Sequence, residues 1–578
     1  MGAEHENTST LEKISPVLRF WRYIQSERKD IWYIYIYAIV VGIIGLSLPL
    51  GIQAVIQMIS GGILFDTAIL IIILVLLGVI ITGVLQVMQI YLVEVLQRRL
   101  FAKATYEFAY RLPRISADAI AGDYPPEVVN RFFDVLLLQK GISKILIDLT
   151  VAVLQIFFGL ILLAFYHPTF IIFDVLFLLA AFIVFRATGK KGLDTSIKES
   201  SYKYKMVAWL QEIARNLVSF KMNSGNSNLA LEKTDKYTVK YIETRKKHFK
   251  VLVVQYINIL TFKFLIIAAT LILGSLLVVD RQINLGQFVA TEIIIVLILG
   301  AIEKLIVSVD TVYDAFTSVD KISKISDYPF ETSGTVLPED YNTNNGFHIT
   351  TQDISYTAHN GKEVLRNITL DIKAGQTVAI AGKADYGIDA LINTISGIYQ
   401  GYSGIVQVNG IAIANMDINQ FRSQIAISPS TNDLFEGTVL ENITVGNSTI
   451  HTIDVINTLK TLGVYEEILL LPDGLETKVM PGGIGVSKEL CAQINIARNV
   501  LRKPKLWIVH GHNFSAVVYA IDAFKNKFAK PTIIAVGNNS LAHKTADIIY
   551  LMVNGEIIAK GNYTEIEKNT YYKNIIQL

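Results

Sequence analysis

The chain has 578 residues, 52% of them hydrophobic and 18% charged, with 52 basic residues against 50 acidic ones. That is too long for one core and too apolar for a soluble enzyme, so at least two domains are required, one of them in lipid, and the balanced charge points to no nucleic-acid partner. The single cysteine, Cys491, excludes an intramolecular disulfide framework, a multi-cysteine metal site and a thioredoxin-type pair.

Residues 1–30 carry Glu4, Glu6, Glu12, Arg19, Arg22, Arg28 and Lys29 and show no apolar core followed by a small-residue cleavage site. The expectation is a cytoplasmic N-terminal segment, not a cleaved signal peptide. From 31 to 326 the chain reads as an all-α membrane domain of six spans, at 32–59, 67–93, 146–166, 169–187, 252–279 and 286–308. Runs such as Thr67–Gly83 have no polar face, which argues against buried helices of a soluble protein.

The loops at 60–66 and at His167-Pro168 carry no Lys or Arg, whereas 94–145 holds Arg98, Arg99, Lys103, Arg111, Arg114, Arg131, Lys140 and Lys144, and 186–250 is equally basic. The positive-inside rule therefore places both termini and both long loops in the cytoplasm. The long loops have helix-forming composition, so the membrane helices are expected to continue beyond the bilayer. Their tips, near Asp123–Asp134 and Gln211–Asn223, are expected to be short helices lying against a cytoplasmic domain.

Lys263, Glu292 and Glu303 are expensive in hydrocarbon and signal a function or a pairing. Lys263 lies about 24 Å and Glu303 about 27 Å below the outer ends of consecutive helices, level enough to pair, while Glu292 is only ~10 Å down and is the better pathway candidate. Gln53 and Gln57, four apart after Pro49, form a further polar stripe.

Residues 327–345, opened by Tyr328-Pro329 and rich in Thr, Gly and Asn, read as a linker. From 346 to 578 short β-rich runs, among them Gln376–Ala381, Gln424–Ser428 and Leu506–Val509, alternate with helical segments and Gly-bearing turns. This is an α/β pattern with a small antiparallel piece at its start.

The run Gln376–Ala381 ends at Gly382 and precedes a helix expected from about Leu391, the context of a phosphate-binding loop. A working loop reads G-x-x-x-x-G-K-[ST]. Here the text is Gly382-Lys383-Ala384-Asp385-Tyr386-Gly387-Ile388-Asp389-Ala390, which keeps both glycines and puts Ile388 at the lysine position and Asp389 at the hydroxyl position.

Downstream, the segments at 396–413, 421–447 (FRSQIAISPSTNDLFEGTVLENITVGN), 471–479, 494–509 and 546–566 follow in an order and spacing that resembles the nucleotide-binding domain of the ABC ATPase superfamily. The membrane part is similar to half-transporters of the exporter subgroup serving toxin and peptide secretion, around 212–225 and 285–306. The resemblance implies an α/β P-loop-type ABC domain behind the six-helix membrane domain, in a bacterial inner membrane.

Carried over position by position, the resemblance puts Ala358 where an aromatic residue would stack on adenine, and Ser430 where a glutamine would meet Mg²⁺. His510-Gly511 stands for the metal-holding Asp and catalytic Glu, and Val536 for the switch histidine. The signature LSGGQ is replaced by Val486-Ser487-Lys488-Glu489-Leu490, with only Ser487 kept and Lys488 a stray cation. No metal site is expected, the alternative being His510 and His512 beside Asp385 or Asp389.

Loss of the lysine removes the main cation facing the β- and γ-phosphates, and Asp385 and Asp389 add carboxylates where a polyanion would sit. The resemblance then implies a chain that binds nucleotide poorly, hydrolyses none by itself, and pairs with an intact homologous half that holds ATP and Mg²⁺. A heterodimer is favoured and a homodimer possible, with membrane lipid around it and a periplasmic adaptor as a further partner. The competing reading is a non-transporting membrane scaffold or regulator.

Overall fold

The computed structural model describes residues 15–61, 65–123, 125–223, 228–337, 346–382, 386–428, 434–525 and 530–576. The chain divides into two compact units, one of residues 1–113 with 123–327 and the other of residues 114–122 with 328–578.

The first unit is helical. Its helices are α1 (Pro16–Ile24), α2 (Arg28–Gly45), α3 (Ser47–Ser60) and α4 (Phe65–Arg111), followed, after α5 (Ala117–Ile120) of the second unit, by α6 (Pro125–Asn130), α7 (Asp134–Ser143), α8 (Thr150–Tyr166), α9 (Pro168–Arg215), α10 (Leu217–Asn223), α11 (Leu229–Val279) and α12 (Leu285–Asp327). The six apolar segments fall within α2–α3, α4, α8, α9, α11 and α12. Among the described residues four stretches, Pro16–Ser60, Thr67–Arg114, Pro125–Tyr166 and Leu229–Val279, have the length and mean hydropathy to cross a membrane.

The helices α4, α9, α11 and α12 run 43 to 51 residues, twice what a bilayer needs, so the membrane helices do extend far beyond it. Side chains on them are apolar and exposed on the side away from the bundle, as at Leu70, Ile73, Leu74 and Ile80. Within the bundle α12 buries Ile294, Ile295, Ile298, Leu299 and Ala301 in one cluster with Ala152, Leu160 and Leu163 of α8.

Close approach demands small residues where helices cross. A Cβ on Gly141 of α7 would meet the Ala315 Cβ at 2.2 Å and the Thr311 carbonyl oxygen at 3.3 Å. Ala315 is fully buried, so it cannot step aside into solvent. Gly141→Ala is therefore expected to cost about 1–3 kcal/mol, read as a lower unfolding midpoint of the purified protein.

The second unit is α/β. A four-stranded antiparallel sheet has the order β2-β1-β4-β5, with β1 (Ile349–Thr357), β2 (Glu363–Ile372), β4 (Ser403–Val408) and β5 (Ile411–Ala412). A six-stranded sheet has the order β12-β11-β3-β10-β9-β6, with β3 (Thr377–Gly382), β6 (Ile425–Ser428), β9 (Leu506–His510), β10 (Thr532–Val536), β11 (Ile548–Val553) and β12 (Glu556–Gly561). Only β12 runs antiparallel there. The strands β7 (Gly437–Thr438) and β8 (Lys478–Val479) form a two-residue ladder.

The central strands read Val378-Ala379-Ile380-Ala381 and Trp507-Ile508-Val509, apolar at every position, because a parallel sheet covered on both faces buries both sides of each strand. The helices of this unit are α13 (Tyr386–Ile395), α14 (Ile418–Ser423), α15 (Val439–Thr444), α16 (Thr452–Leu462), α17 (Tyr465–Leu469), α18 (Lys488–Leu501), α19 (Phe514–Ala523), α20 (Ser540–Thr545), α21 (Tyr563–Ile566) and α22 (Thr570–Ile576), of which α15, α16 and α17 pack with α18 in a cluster of their own. The helix after the phosphate-type loop begins at Tyr386, five residues earlier than Leu391, because Ile388 and Leu391 lie on one face and both enter the core.

Short helices fall at both tips, α6 (Pro125–Asn130) and α10 (Leu217–Asn223), and Arg114–Gly122, just before the first of them, belongs to the second unit.

Candidate nucleotide site and polar residues of the membrane unit

In a P-loop the strand end, the tight turn and the following helix N-terminus together cradle phosphate. Here Gly382 ends β3, and a Cβ at that position would lie 2.7 Å from the Met552 carbonyl oxygen, so glycine is required by packing alone. Lys383, Ala384 and Asp385 lie outside the described residues, as does Ser430; of Tyr386 only the backbone is described.

Ile388, at the lysine position, is 4% exposed and packs with Ile380, Leu391 and Tyr550 in the main core of the unit. Asp389 and Ala390 follow in the first turn, Asp389 exposed and Ala390 buried, with Gly387 buried beside them. A carboxylate in a first helical turn is favoured by the unpaired backbone N–H groups there.

Across the sheet, His510 ends β9 in register with Val536. It is half-buried, and burial pushes its imidazole below the usual range, with Asp389 opposing and His512 adding to the shift. Among the described residues no group of three His, Cys, Asp or Glu is arranged to hold a metal ion. Gly511 donates space to Asn539: its carbonyl accepts from Asn539 Nδ2 at 2.6 Å, and a Cβ at 511 would come within 2.7 Å of the Asn539 Cβ.

Val536 is an interior strand residue, 2% exposed, and cannot reach a ligand. The loop after it, Gly537 to Asn539, is the nearest polar segment, and it is fastened by His543, which is 1% exposed. His543 Nε2 donates to the Gly537 carbonyl at 2.8 Å, and Nδ1 is hydrogen-bonded to Tyr572 Oη at 2.8 Å.

Burial holds the His543 pKa below 6.5. Its contribution to stability is complete above the unfolded value and is lost as pH falls through the lower folded value. Thermal melts should therefore fall below about pH 6.5, and His543→Phe should flatten that decline while costing about 1–3 kcal/mol at neutral pH, because the Gly537 carbonyl and Tyr572 hydroxyl lose their partner.

Ala358, just after β1, packs its small side chain on the core. Two residues earlier, Tyr356 stacks on Tyr399 with centroids 4.8 Å apart and planes at 9°. Its hydroxyl donates to Asp118 Oδ1 at 2.8 Å, while Asp118 Oδ2 accepts from the backbone of Gln400 at 2.7 Å and of Gly401 at 3.0 Å. Burial, with Asp118 adjacent, pushes the Tyr356 phenol up. Asp118 sits in α5, and the flanking chain pairs with the start of the linker through Ser116 N to the Pro329 carbonyl and Glu331 N to the Arg114 carbonyl, both 3.0 Å. Sequence reasoning missed Asp118, since no local pattern marks it.

At the signature position Ser487 N-caps α18 through Leu490 N at 3.1 Å. Val486 is half-buried and Lys488 and Glu489 are exposed in the first turn, where the family has glycines that let backbone approach phosphate.

In the first unit Lys263 Nζ and Glu303 Oε1 form an ion pair between α11 and α12. Gln53 Oε1 accepts from Tyr166 Oη at 2.5 Å, while Gln57 is exposed. Glu292 Oε1 is buried without a hydrogen-bond partner among the described residues. Missed from sequence was His248, 1% exposed, whose ring nitrogens meet Thr195 Oγ1 at 2.8 Å and Asp310 Oδ1 at 3.0 Å.

The ABC transporter family model matches residues 365–509. The structure of a bacterial Atm1-family ABC exporter with ATP bound superposes with a TM-score of 0.80 at 14% identity, covering 95% of this chain and 97% of that one. The chain has the fold of an ABC exporter half-transporter. Heavy metal tolerance factor 1 of Caenorhabditis elegans is 29% identical over 230 residues, 39% of this chain and 29% of that protein. Leptomycin B resistance protein pmd1 of Schizosaccharomyces pombe is 29% identical over 235 residues, 39% of this chain and 17% of that protein. The chain thus spans less than a third of either of these two curated relatives.

At the positions that the resemblance assigns to nucleotide, Ile388 is core, Asp389 stands in the first turn of α13, and Gly511 packs against Asn539.

Proposed function

We propose that this chain is the catalytically inert half of an ABC-type exporter, with six spans and both termini in the cytoplasm, paired with a homologous half that binds and hydrolyses ATP. The observation that carries the reading is Ile388, 4% exposed in the core where a phosphate-binding lysine would stand. Asp389, Gly511 and Lys488 support it independently, at phosphate, water and signature positions. A homodimer would contain no site with a lysine at the loop's lysine position or a carboxylate at the catalytic position, which favours the heterodimer.

The retained architecture fits a mechanical role. The α/β unit keeps its sheets, its caps and the Asp118 clasp while its chemistry is gone, so it can still pass motion from a partner's ATP cycle to membrane helices. Glu292, with a buried unpaired carboxylate oxygen, is the first candidate for lining the pathway.

The test is co-expression with an intact ABC half encoded beside it. A stable complex whose ATPase activity disappears only when the partner's loop lysine is changed is the expected result. Recovery of this chain without any such half, over repeated purifications, would instead favour the scaffold reading.

A further inference from the structure

The geometry points to a binding site for an anionic phospholipid on the first unit, between α1 and α2, with the headgroup held by Arg22, Arg28 and Lys29 and the acyl region lying against Trp21, Trp32 and Tyr35. These residues line one open groove of about 840 Å³. Two of the four tryptophans in the chain stand on it, Trp21 46% and Trp32 64% exposed.

Charge complementarity selects the occupant. Four cations lie on this stretch, and Arg19 is spent on Asp327 at 2.8 Å. The two acidic residues nearby, Glu27 and Asp30, are both taken by Arg99, at 3.2 and 2.6 Å. Arg22, Arg28 and Lys29 are exposed and have no carboxylate partner among the described residues. Three unmatched cations around an aromatic, otherwise apolar groove suit a ligand with a negative head and a hydrocarbon body.

The fold shapes the groove. Between α1 and α2 the chain tightens into a 3₁₀ turn at Gln25–Glu27, which lets both helices bury one face, Phe20 and Ile24 on α1 and Ile31 and Ile34 on α2, while the aromatic and basic residues face outward. Lys103 secures the turn by donating to Ser26 Oγ at 3.1 Å.

The full-length protein in nanodiscs of phosphatidylcholine with brominated phosphatidylglycerol, or with the bromine on phosphatidylcholine instead, gives the test through tryptophan quenching. A Trp21→Phe/Trp32→Phe variant identifies the quenching that arises at the groove. The expected result is preferential quenching by the anionic lipid, weakened by salt and falling about five-fold in relative affinity for each cation removed in Arg22→Gln, Arg28→Gln and Lys29→Gln. Arg28→Gln alone decides the matter if the triple variant does not fold. Equal quenching by both lipids, a preference that survives these changes, or its abolition by excess inorganic phosphate would overturn the proposal, the last by marking a free-phosphate site. Both nanodisc faces are accessible, so the result does not depend on the topology proposed above.

Discussion

Titrated with ATP and Mg²⁺, the full-length chain should show no saturable binding below the millimolar range and no phosphate release above background. Two like unit charges about 4 Å apart at an effective dielectric near 20 repel by roughly 4 kcal/mol, on the order of a thousand-fold in affinity. Asp389 would impose that repulsion from the first turn of α13, and the loop's lysine position does not offset it, since Ile388 is packed there with Ile380 and Tyr550. Radiolabelled nucleotide binding and a phosphate-release assay check both halves of the statement, and a micromolar dissociation constant for the unaltered chain would sink it.

Single reversions should not rescue it. Ile388→Lys places an ammonium in an apolar cluster, and the expected outcome is a lower melting temperature before any gain in affinity. Gly511→Glu needs space that Asn539 fills, with Cβ atoms brought to 2.7 Å, so the loop after β10 would have to move. Under the proposed function, packing holds these positions in several places, and restoring one charge would not undo it.

Asp118→Ala should release the segment Arg114–Gly122 from its place on the α/β unit. The substitution removes an acceptor for three hydrogen bonds, from Tyr356 Oη and the backbone N–H groups of Gln400 and Gly401, and leaves a tyrosine only 6% exposed without its partner. Bonds to a charged acceptor contribute more than neutral ones, so a loss of about 3 kcal/mol is expected, roughly a hundred-fold rise in the open population. Hydrogen exchange at Gln400 and Gly401 and proteolysis within 114–122 report it. Asp118→Asn, which keeps an acceptor, should fall between. Unchanged exchange at both amides would show that the Tyr356–Tyr399 stack and the Ile115–Phe330 bridge hold the segment without Asp118. Under the proposed function the same variant should also uncouple a partner's ATP hydrolysis from transport.

Where local pattern determines structure, the amino-acid sequence alone was sufficient. Uninterrupted apolar runs marked the membrane portions of the long helices, because the stretch of helix that lipid surrounds must be predominantly apolar. The strands β3, β6 and β9 were legible for the related reason that a doubly covered parallel strand is apolar at every residue. Helical rise was enough to put Lys263 level with Glu303, and the two do pair. The replaced residues at 388, 389, 510, 511, 488 and 489 could be read as replaced.

Tertiary structure alone decided what became of them. That Ile388 turns into the core, that Asn539 fills the space beside Gly511, and that Val536 stays inside β10 while Gly537–Asn539 form the loop all depend on neighbours from distant strands. Asp118 lies 238 residues from Tyr356 in the chain, and its three bonds leave no trace in local composition. Periodicity reports how a segment meets its surroundings on average, one face or all round. Which atom a side chain meets is set by long-range packing, and there the surroundings of Ile388, Gly511 and Val536 were decided.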